Sequence, residues 1–128
     1  MKIRDCVLIE PFTCKEDEGI IEVAKKLREI SLRHIFVIND ENYPTGIISV
    51  IDINNRIVAE GKNPKDLKAK NIMSKPIEVY EINELVEEAY KKMIEKKRVM
   101  GAVIKDKKMI GIVTIHQLLK KLENKKNE

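Results

Sequence analysis

Two hydroxyl residues, each followed three positions later by a polar side chain, are the groups in this 128-residue chain best placed to bind a ligand. Ser49 and Asp52 form the first pair, and Thr114 and Gln117 form the second. Each pair follows an apolar run rich in β-branched residues and opens a stretch with helical spacing. A helix that begins there would present unpaired N–H groups and a positive dipole end to a phosphate. The hydroxyl could donate to that anion, and Asp52 could accept from a ribose diol.

Both patterns also have a purely structural interpretation. Ser-x-x-Asp and Thr-x-x-Gln at helix starts are capping boxes, in which Ser49 or Thr114 satisfies the helix terminus without any ligand. The sequence leaves this alternative open.

A basic pair distinguishes the two junctions. Arg33 and His34 precede a predicted strand beside the Ser49 junction and offer cationic donors to a phosphate. Val99 and Met100 stand at the matching positions of the second junction, where Gln117 can accept from a ribose hydroxyl only without charge assistance. The Ser49 junction is therefore predicted to be the stronger site.

Two successive runs of the same elements must position these residues. In the first run, strands are predicted around Phe12–Cys14, Ile35–Ile38 and Gly46–Ser49, with a turn at 39–42. The first helix buries its apolar positions, and the second helix points Val50, Ile53 and Ile57 inward and ends near Gly61. The first helix's apolar positions are Ile20, Val23, Ala24, Leu27 and Ile30.

The second run repeats this order after a linker in which Pro64 suits the start of a short helix. Strands are predicted at Pro76–Val79, Gly101–Ile104 and Ile110–Val113, with a turn at 106–108. The apolar helix positions are Leu85, Val86, Ala89 and Met93, and then Ile115, Leu118, Leu119 and Leu122.

The recurring order predicts an α/β (α+β) fold made by internal duplication, with two β-α-β-β-α repeats. The predicted boundaries are 1–61 for the first repeat, 62–67 for a linker, 68–123 for the second repeat and 124–128 for a polar tail. Because a lone core of about 60 residues is marginal, the repeats are expected to pack as a pseudo-twofold pair that shares one core.

The residues resemble the CBS domain in its tandem form, the Bateman module. The resemblance rests on Gly46–Ile53, on the preceding Arg33–Ile38 and on the second copy at Gly111–Thr114. It implies a non-catalytic sensor that binds AMP, ADP, ATP or S-adenosylmethionine in clefts between the repeats. It also implies a disc-like homodimer and a regulated partner protein that the sequence does not identify.

The resemblance adds three residues to the predicted site. Ile47 belongs to the Ser49 motif and is expected to contact the ligand. Each cleft of the family also borrows from the other repeat, which would place Asn83 in the Ser49 cleft and Asp17 in the Thr114 cleft.

Catalytic and metal chemistry are not expected. The sequence has no Ser-His-Asp set, P-loop, Rossmann fingerprint or metal cluster, and His116 has no evident partner that would make it a base. Cys6 and Cys14 lack zinc-ligand spacing and are expected to be buried, reduced thiols. We therefore predict no enzyme activity, no cofactor and no bound metal.

The charge distribution raises two further hypotheses. Residues 1–60 carry 8 basic and 11 acidic side chains, whereas residues 61–128 carry 17 and 10. Basic clusters such as 96–98, 107–108 and 125–126 suggest an alternative role on nucleic acid, but only weak binding is expected because aromatic residues are just 4%. The other alternative is a structural dimerisation module whose clefts are filled by side chains.

The last predictions concern the cellular location of the protein and its assembly. No signal peptide and no apolar run approaching 18 residues is evident, so a cytoplasmic protein without membrane contact is predicted. Apolar helix surface is expected to make a closed homodimer. That surface comprises Val50, Ile53, Ile57, Leu118 and Leu122.

Overall fold

The chain folds into two compact units that do not follow chain order. The computed structural model describes residues 1–31 and 33–126. One unit comprises Phe12–Ile77, and the other combines Met1–Pro11 with Glu78–Glu128. These units are groups of residues in contact, and they do not correspond to the repeats along the sequence. The predicted boundaries of the two repeats therefore stay a prediction.

The unit formed by 12–77 contains the first β-α-β-β-α run. Its strands are β1 (Thr13–Lys15), β2 (His34–Ile38) and β3 (Pro44–Ser49), and its first helix is α1 (Ile20–Glu29). Helix α2 (Val50–Ile53) follows β3 directly and continues as a π-helical stretch over Asn54–Val58. A 3-10 turn at Pro64–Asp66 leads to the short helix α3 (Ala69–Ile72).

The other unit contains the second run. It begins with a 3-10 turn at Ile3–Asp5, and its strands are β4 (Val79–Glu81), β5 (Met100–Lys105) and β6 (Lys108–Thr114). Helix α4 (Val86–Glu95) joins the first two strands, and α5 (Ile115–Lys126) follows β6. The predicted α/β fold with two β-α-β-β-α runs is therefore confirmed.

Each unit has a three-stranded sheet of the same topology. The orders are β1-β2-β3 and β4-β5-β6, with the first two strands parallel and the last two joined as an antiparallel hairpin. Parallel strands need a crossover, which α1 and α4 supply. The hairpin register sets His34 opposite Ser49 and Met100 opposite Thr114, so each strand-to-helix junction lies beside the first residue of the middle strand.

An apolar core lies within each unit. Each unit gains apolar surface from a segment outside its continuous run. Ile3 and Cys6 join the core that contains Tyr80 and Met93. Ala69 and Ile72 join the core that contains Val23, Leu27 and Ile57. These additions explain how a run of about 60 residues assembles a core of its own.

Short segments cover the outer edges of both hairpins. Ser74 pairs with Ile47 on β3, and Ile9 pairs with Ile112 on β6. Glycine is required where these segments cross: a Cβ on Gly46 would lie 2.6 Å from the sulfur of Met73. Each segment thus pairs with one residue on the outer edge of its hairpin, which leaves less of that edge for another chain.

Some predicted elements need correction. The first strand of the second run begins at Val79, not at Pro76, because pairing with β5 starts at Val79 opposite Ala102. Val50 does not point inward but is 50% exposed at the start of α2. Gly61 does end the helical stretch, with a φ of +66° that suits glycine.

The last helix runs into the predicted polar tail. Helix α5 continues through Lys126, so 124–126 are helical. The final two residues of the predicted tail, 127 and 128, lie outside the described residues.

Candidate functional site

The Ser49 junction is a complete capping box. The backbone N–H of Asp52 donates to Ser49 Oγ at 3.0 Å, and the N–H of Ser49 donates to Asp52 Oδ2 at 2.9 Å. Ser49 is extended, with φ −109° and ψ 163°, as an N-cap residue must be. The capping geometry expected from the sequence is therefore present, and any ligand at this junction would add its contacts to those of the cap.

Arg56 completes the surroundings of Asp52. Its Nη2 lies 3.8 Å from Asp52 Oδ1, and its Nη1 donates to the carbonyl oxygen of Ile72 at 2.6 Å. Asp52 keeps 17% of its side chain exposed. Sequence reasoning missed Arg56, although a basic residue four positions after an acid on one helix face is a recognisable pair.

The basic pair lies beside this junction. His34 is opposite Ser49 in the β2–β3 ladder, and the N–H of Val50 donates to the carbonyl oxygen of Arg33 at 3.0 Å. Both basic side chains are exposed. Within the described residues, neither side chain has a hydrogen bond or an ion pair. The sheet thus brings Arg33, His34, Ser49 and Asp52 together, so that the donors Arg33, His34 and Ser49, which can bind an anion, lie beside the acceptor Asp52.

Ile47 has no free backbone group on the edge of β3. Its N–H donates to the carbonyl oxygen of Ser74 at 3.1 Å, and its own carbonyl accepts from the N–H of Ser74 at 2.8 Å. Its side chain is partly buried. Any contact between Ile47 and a ligand would therefore come from the side chain.

The second junction has the same cap with neutral groups. Gln117 Oε1 accepts from the N–H of Thr114 at 2.8 Å, and the N–H of Gln117 donates to Thr114 Oγ1 at 3.3 Å. The Gln117 amide group also donates to the carbonyl oxygen of Val7. Val7 and Gln117 are 110 positions apart in the sequence, so only the structure could reveal the hydrogen bond between them.

Asp17 and Asn83 lie at the opposite ends of their own sheets from the junctions. Asp17 follows β1, whose last residue Lys15 pairs with the last residue of β2, whereas His34 begins that strand. Asn83 follows β4 in the same way. Neither residue shares a site with the junction of its own unit, and their predicted roles at the junction of the other unit stay predictions.

Both residues have partners at these ends. Asp17 forms ion pairs with Lys70 at 2.9 Å and Lys68 at 3.9 Å. The hydrogen bond from Lys70 lowers the pKa of Asp17. Asn83 accepts a hydrogen bond from Arg4. These contacts explain why each side chain is held where it is without a ligand.

The remaining reactive groups fit structural roles. Cys6 and Cys14 are free and buried, as predicted. Burial, followed by the Glu18 carboxylate, raises the pKa of Cys14 to about 12. Across residues 1–31 and 33–126, no group of three or more potential metal-ligating side chains occurs. No helix within that part of the chain is long and apolar enough to cross a membrane.

Two curated relatives cover most of this chain. An uncharacterized protein of Methanopyrus kandleri, MK0525, is 37% identical over 103 residues, which make up 80% of this chain and 53% of the relative. A homoserine O-acetyltransferase of Methanohalobium evestigatum is 24% identical over 123 residues, 94% of this chain and 24% of that enzyme. The chain thus spans about half of the first relative and a quarter of the second.

Solved structures share the fold at low sequence identity. The CBS domain pair of protein MJ0100, solved with 5′-methylthioadenosine and S-adenosyl-L-methionine, has a TM-score of 0.74 at 23% identity and covers 98% of both chains. Hypoxic Response Protein I, solved with two coordinated zinc ions, has a TM-score of 0.77 at 21% identity and covers 94% of this chain and 98% of its own. A hexameric CBS-CP12 protein from bloom-forming cyanobacteria has a TM-score of 0.71 at 22% identity and covers 93% and 69%.

The family assignment follows from the two runs together. The model of the CBS domain matches residues 3–59 and again residues 69–124, which together make up most of the chain. Both matches contain a strand-to-helix junction with its capping hydroxyl. The chain is a tandem pair of CBS domains and belongs to the CBS-domain family.

Proposed function

We propose that this CBS pair is a non-catalytic regulatory module that binds an adenosine-containing ligand at the Ser49 junction. The candidates are AMP, ADP, ATP and S-adenosylmethionine. The observation that carries the proposal is the set of groups around one helix start: the hydroxyl of Ser49, the carboxylate of Asp52 and the side chains of Arg33 and His34, which have no partner among the described residues. The MJ0100 pair, which was solved with two adenosyl compounds, supports this ligand class.

The roles of the individual groups follow from their chemistry. Arg33 and His34 would hold the negatively charged end of the ligand, because charge-assisted hydrogen bonds are the stronger ones. Asp52 Oδ1 would accept from a ribose hydroxyl, since Oδ2 is occupied by the cap. Ile47 would offer apolar surface, and Asn83 would contribute from the other repeat. Thr114, Gln117 and Asp17 would form a second, weaker site.

The direct test is to identify what the protein carries and what it binds. Purified protein is denatured, and any released small molecule is identified by mass spectrometry. The stripped and refolded protein is then titrated by calorimetry with the four candidates and with guanosine monophosphate as a control. Binding of an adenosine ligand with guanosine monophosphate inert supports the proposal, and the absence of binding by all four contradicts it.

A structural module without ligand is the second candidate. Both junctions satisfy their own helix starts through complete or nearly complete capping boxes, so neither needs a ligand in order to fold. This candidate predicts no small molecule on release and no heat of binding, so the experiment above separates the two functions.

Nucleic acid is the weaker alternative partner. The charge difference between the sequence halves becomes small when charges are counted by compact unit: 11 basic and 10 acidic side chains in 12–77, and 14 and 11 in the rest. Any binding would therefore be weak and would fall steeply with salt.

Self-association into a homodimer belongs to the same proposal. The CBS-CP12 relative is described as hexameric, which supports self-association in this fold. Ile57 and Leu118 of the predicted dimer surface are buried, but exposed apolar side chains on α2 and its π-helical continuation, Val50, Ile51 and Val58, offer a surface for a second copy.

A further inference from the structure

Helix α5 of the second unit borders a groove. It lies between the 6–7 segment and one face of α5 and has a volume of about 330 Å³. Its lining residues are Cys6, Val7, Gln117, Lys120, Lys121 and Asn124. The volume is at the lower end of the range that small-molecule sites occupy.

In the first unit an arginine stands at the position that corresponds to Lys121. Arg56 stands 65 positions before Lys121, and Ile72 stands 65 positions after Val7. The Arg56 guanidinium reaches across and donates to the carbonyl oxygen of Ile72. In the second unit the Gln117 amide group donates to the Val7 carbonyl oxygen instead. The ammonium groups of Lys120 and Lys121 therefore do not serve as donors to that carbonyl.

Two lysines line the groove, and the Asp5 carboxylate, which helps to raise the pKa of Cys6, lies near it without lining it. None of its lining residues is acidic, and Lys120 and Lys121 have no ion-pair partner within 4 Å in the described part of the chain. The Lys121 ammonium lies close enough to Cys6 to oppose the rise in the pKa of that thiol, a rise that burial causes. Lys121 and Cys6 both line the groove, so the ammonium group and the thiol belong to the same site.

Apolar surface lies next to these cations. Val7 is 85% exposed at the rim, and Cys6 contributes a largely buried thiol below it. An exposed valine beside two unpaired ammonium groups is matched by a molecule with an apolar body and one negative group. We propose that this groove binds a small organic anion of that class, through Lys120 and Lys121, independently of the adenosine ligand at Ser49.

Octanoate is a suitable probe, because its chain fits the volume and its carboxylate matches the lysines. Binding to the full chain is measured by calorimetry, with octan-1-ol and inorganic phosphate as comparators that each lack one half of the chemistry. We expect one saturable octanoate site per chain and affinities at least about tenfold lower for both comparators. Equal binding of octan-1-ol would overturn the role of the lysines, and no saturable binding at millimolar octanoate would overturn the site.

Matched variants locate the binding. Replacing both lysines (Lys120→Gln with Lys121→Gln) should weaken octanoate by about tenfold or more, and Val7→Asp should abolish binding by placing a carboxylate at the rim. The control removes the same charge elsewhere, through Lys107→Gln with Lys108→Gln on the β5–β6 hairpin, and should bind as the parent does. An affinity that falls equally in the control pair would show non-specific charge attraction and would contradict the proposal.

Discussion

The side chains of Ser49 and Asp52 each bond the backbone N–H of the other residue, at 3.0 Å and 2.9 Å, so the carboxylate that closes the helix start is also the one proposed to bind a ribose. The oxygen that is not used by the cap lies 3.8 Å from Arg56. A ribose hydroxyl would therefore share this oxygen with a guanidinium that already holds it in place. Structural and ligand-binding roles of Asp52 overlap, and substitutions must separate them.

Asp52→Ala and Asp52→Asn separate the two roles. The alanine variant loses both the cap and the charge, so the free energy of unfolding should fall by about 1 kcal/mol. Its affinity for the adenosine ligand should fall by roughly 10- to 150-fold, because a hydrogen bond to a charged group is lost. Asparagine keeps an acceptor for the Ser49 N–H, so its stability should stay close to that of the parent while its affinity still falls.

Calorimetry and urea unfolding measure these two quantities on the same samples. Gln117→Ala is the matched control at the other junction and should change the affinity much less. If Asp52→Ala binds as tightly as the parent, the ribose contact is wrong and the carboxylate serves the cap alone.

Gln117→Asp tests why the second junction is the weaker one. Aspartate would restore a charged acceptor for a ribose hydroxyl and could still accept from the Thr114 N–H. It cannot donate to the Val7 carbonyl as the glutamine amide does. We expect stability to fall by about 1 kcal/mol and a second adenosine site to become measurable. A titration that still shows one site would contradict the view that charge limits this junction.

The sequence predicted the elements around both junctions because their signals are local. The change from a β-branched run to helical spacing at Ser49 and Thr114 places the strand end, the cap and the helix start within a few residues. The hairpin that carries Arg33 and His34 follows from the same short-range pattern. The capping boxes were also readable, since hydroxyl and acceptor are three residues apart.

Contacts between segments that are distant in the sequence could not be predicted from such local patterns. Arg56 with Ile72 and Gln117 with Val7 join parts of the chain that no periodicity relates. The grouping of Met1–Pro11 with the second run likewise depends on pairing, such as that of Ile9 with Ile112. The placement of Asp17 at the far end of its own sheet needed the strand register, which sequence alone leaves loose.

Tyr80→Phe should stabilise the protein. Tyr80 is 0% exposed, and its hydroxyl has no hydrogen-bond partner among the described residues. A hydroxyl buried without a partner costs about 1–3 kcal/mol, so its removal should raise the free energy of unfolding by about 1 kcal/mol. The ring and its contact with the Lys92 ammonium, 4.5 Å from the ring centre, are retained. Loss of stability in the urea unfolding of this variant would reveal a partner for the hydroxyl.

Alkaline pH should destabilise the fold through Cys14. Burial raises the pKa of this thiol from 9.0 to about 12, so the unfolded chain loses the proton first. Stability is therefore fully present below pH 9 and falls between about pH 9 and 12, by at most about 1.4 kcal/mol per pH unit for this group. Burial also raises the pKa of Tyr80 to about 12, which adds a loss that begins near pH 10. Unfolding curves of Cys14→Ala should show a shallower decline than those of the parent, and identical slopes would contradict this origin.

The α2 stretch should hold the proposed homodimer together. Ile51 lies in α2 and Val58 ends the π-helical stretch that continues it, and each is 68% exposed. An exposed apolar surface of this kind usually marks an interface, and closed twofold dimers are the commonest assembly. Ile51→Glu with Val58→Glu should convert the dimer to a monomer in light scattering at micromolar concentration while leaving the circular dichroism unchanged.

Val99→Glu is the control for this prediction. It adds a charge at another apolar residue, which is 62% exposed and lies outside the helices, and it should leave the dimer intact. A parent protein that scatters as a monomer, or a dimer that survives both charges on α2, would place self-association elsewhere or remove it.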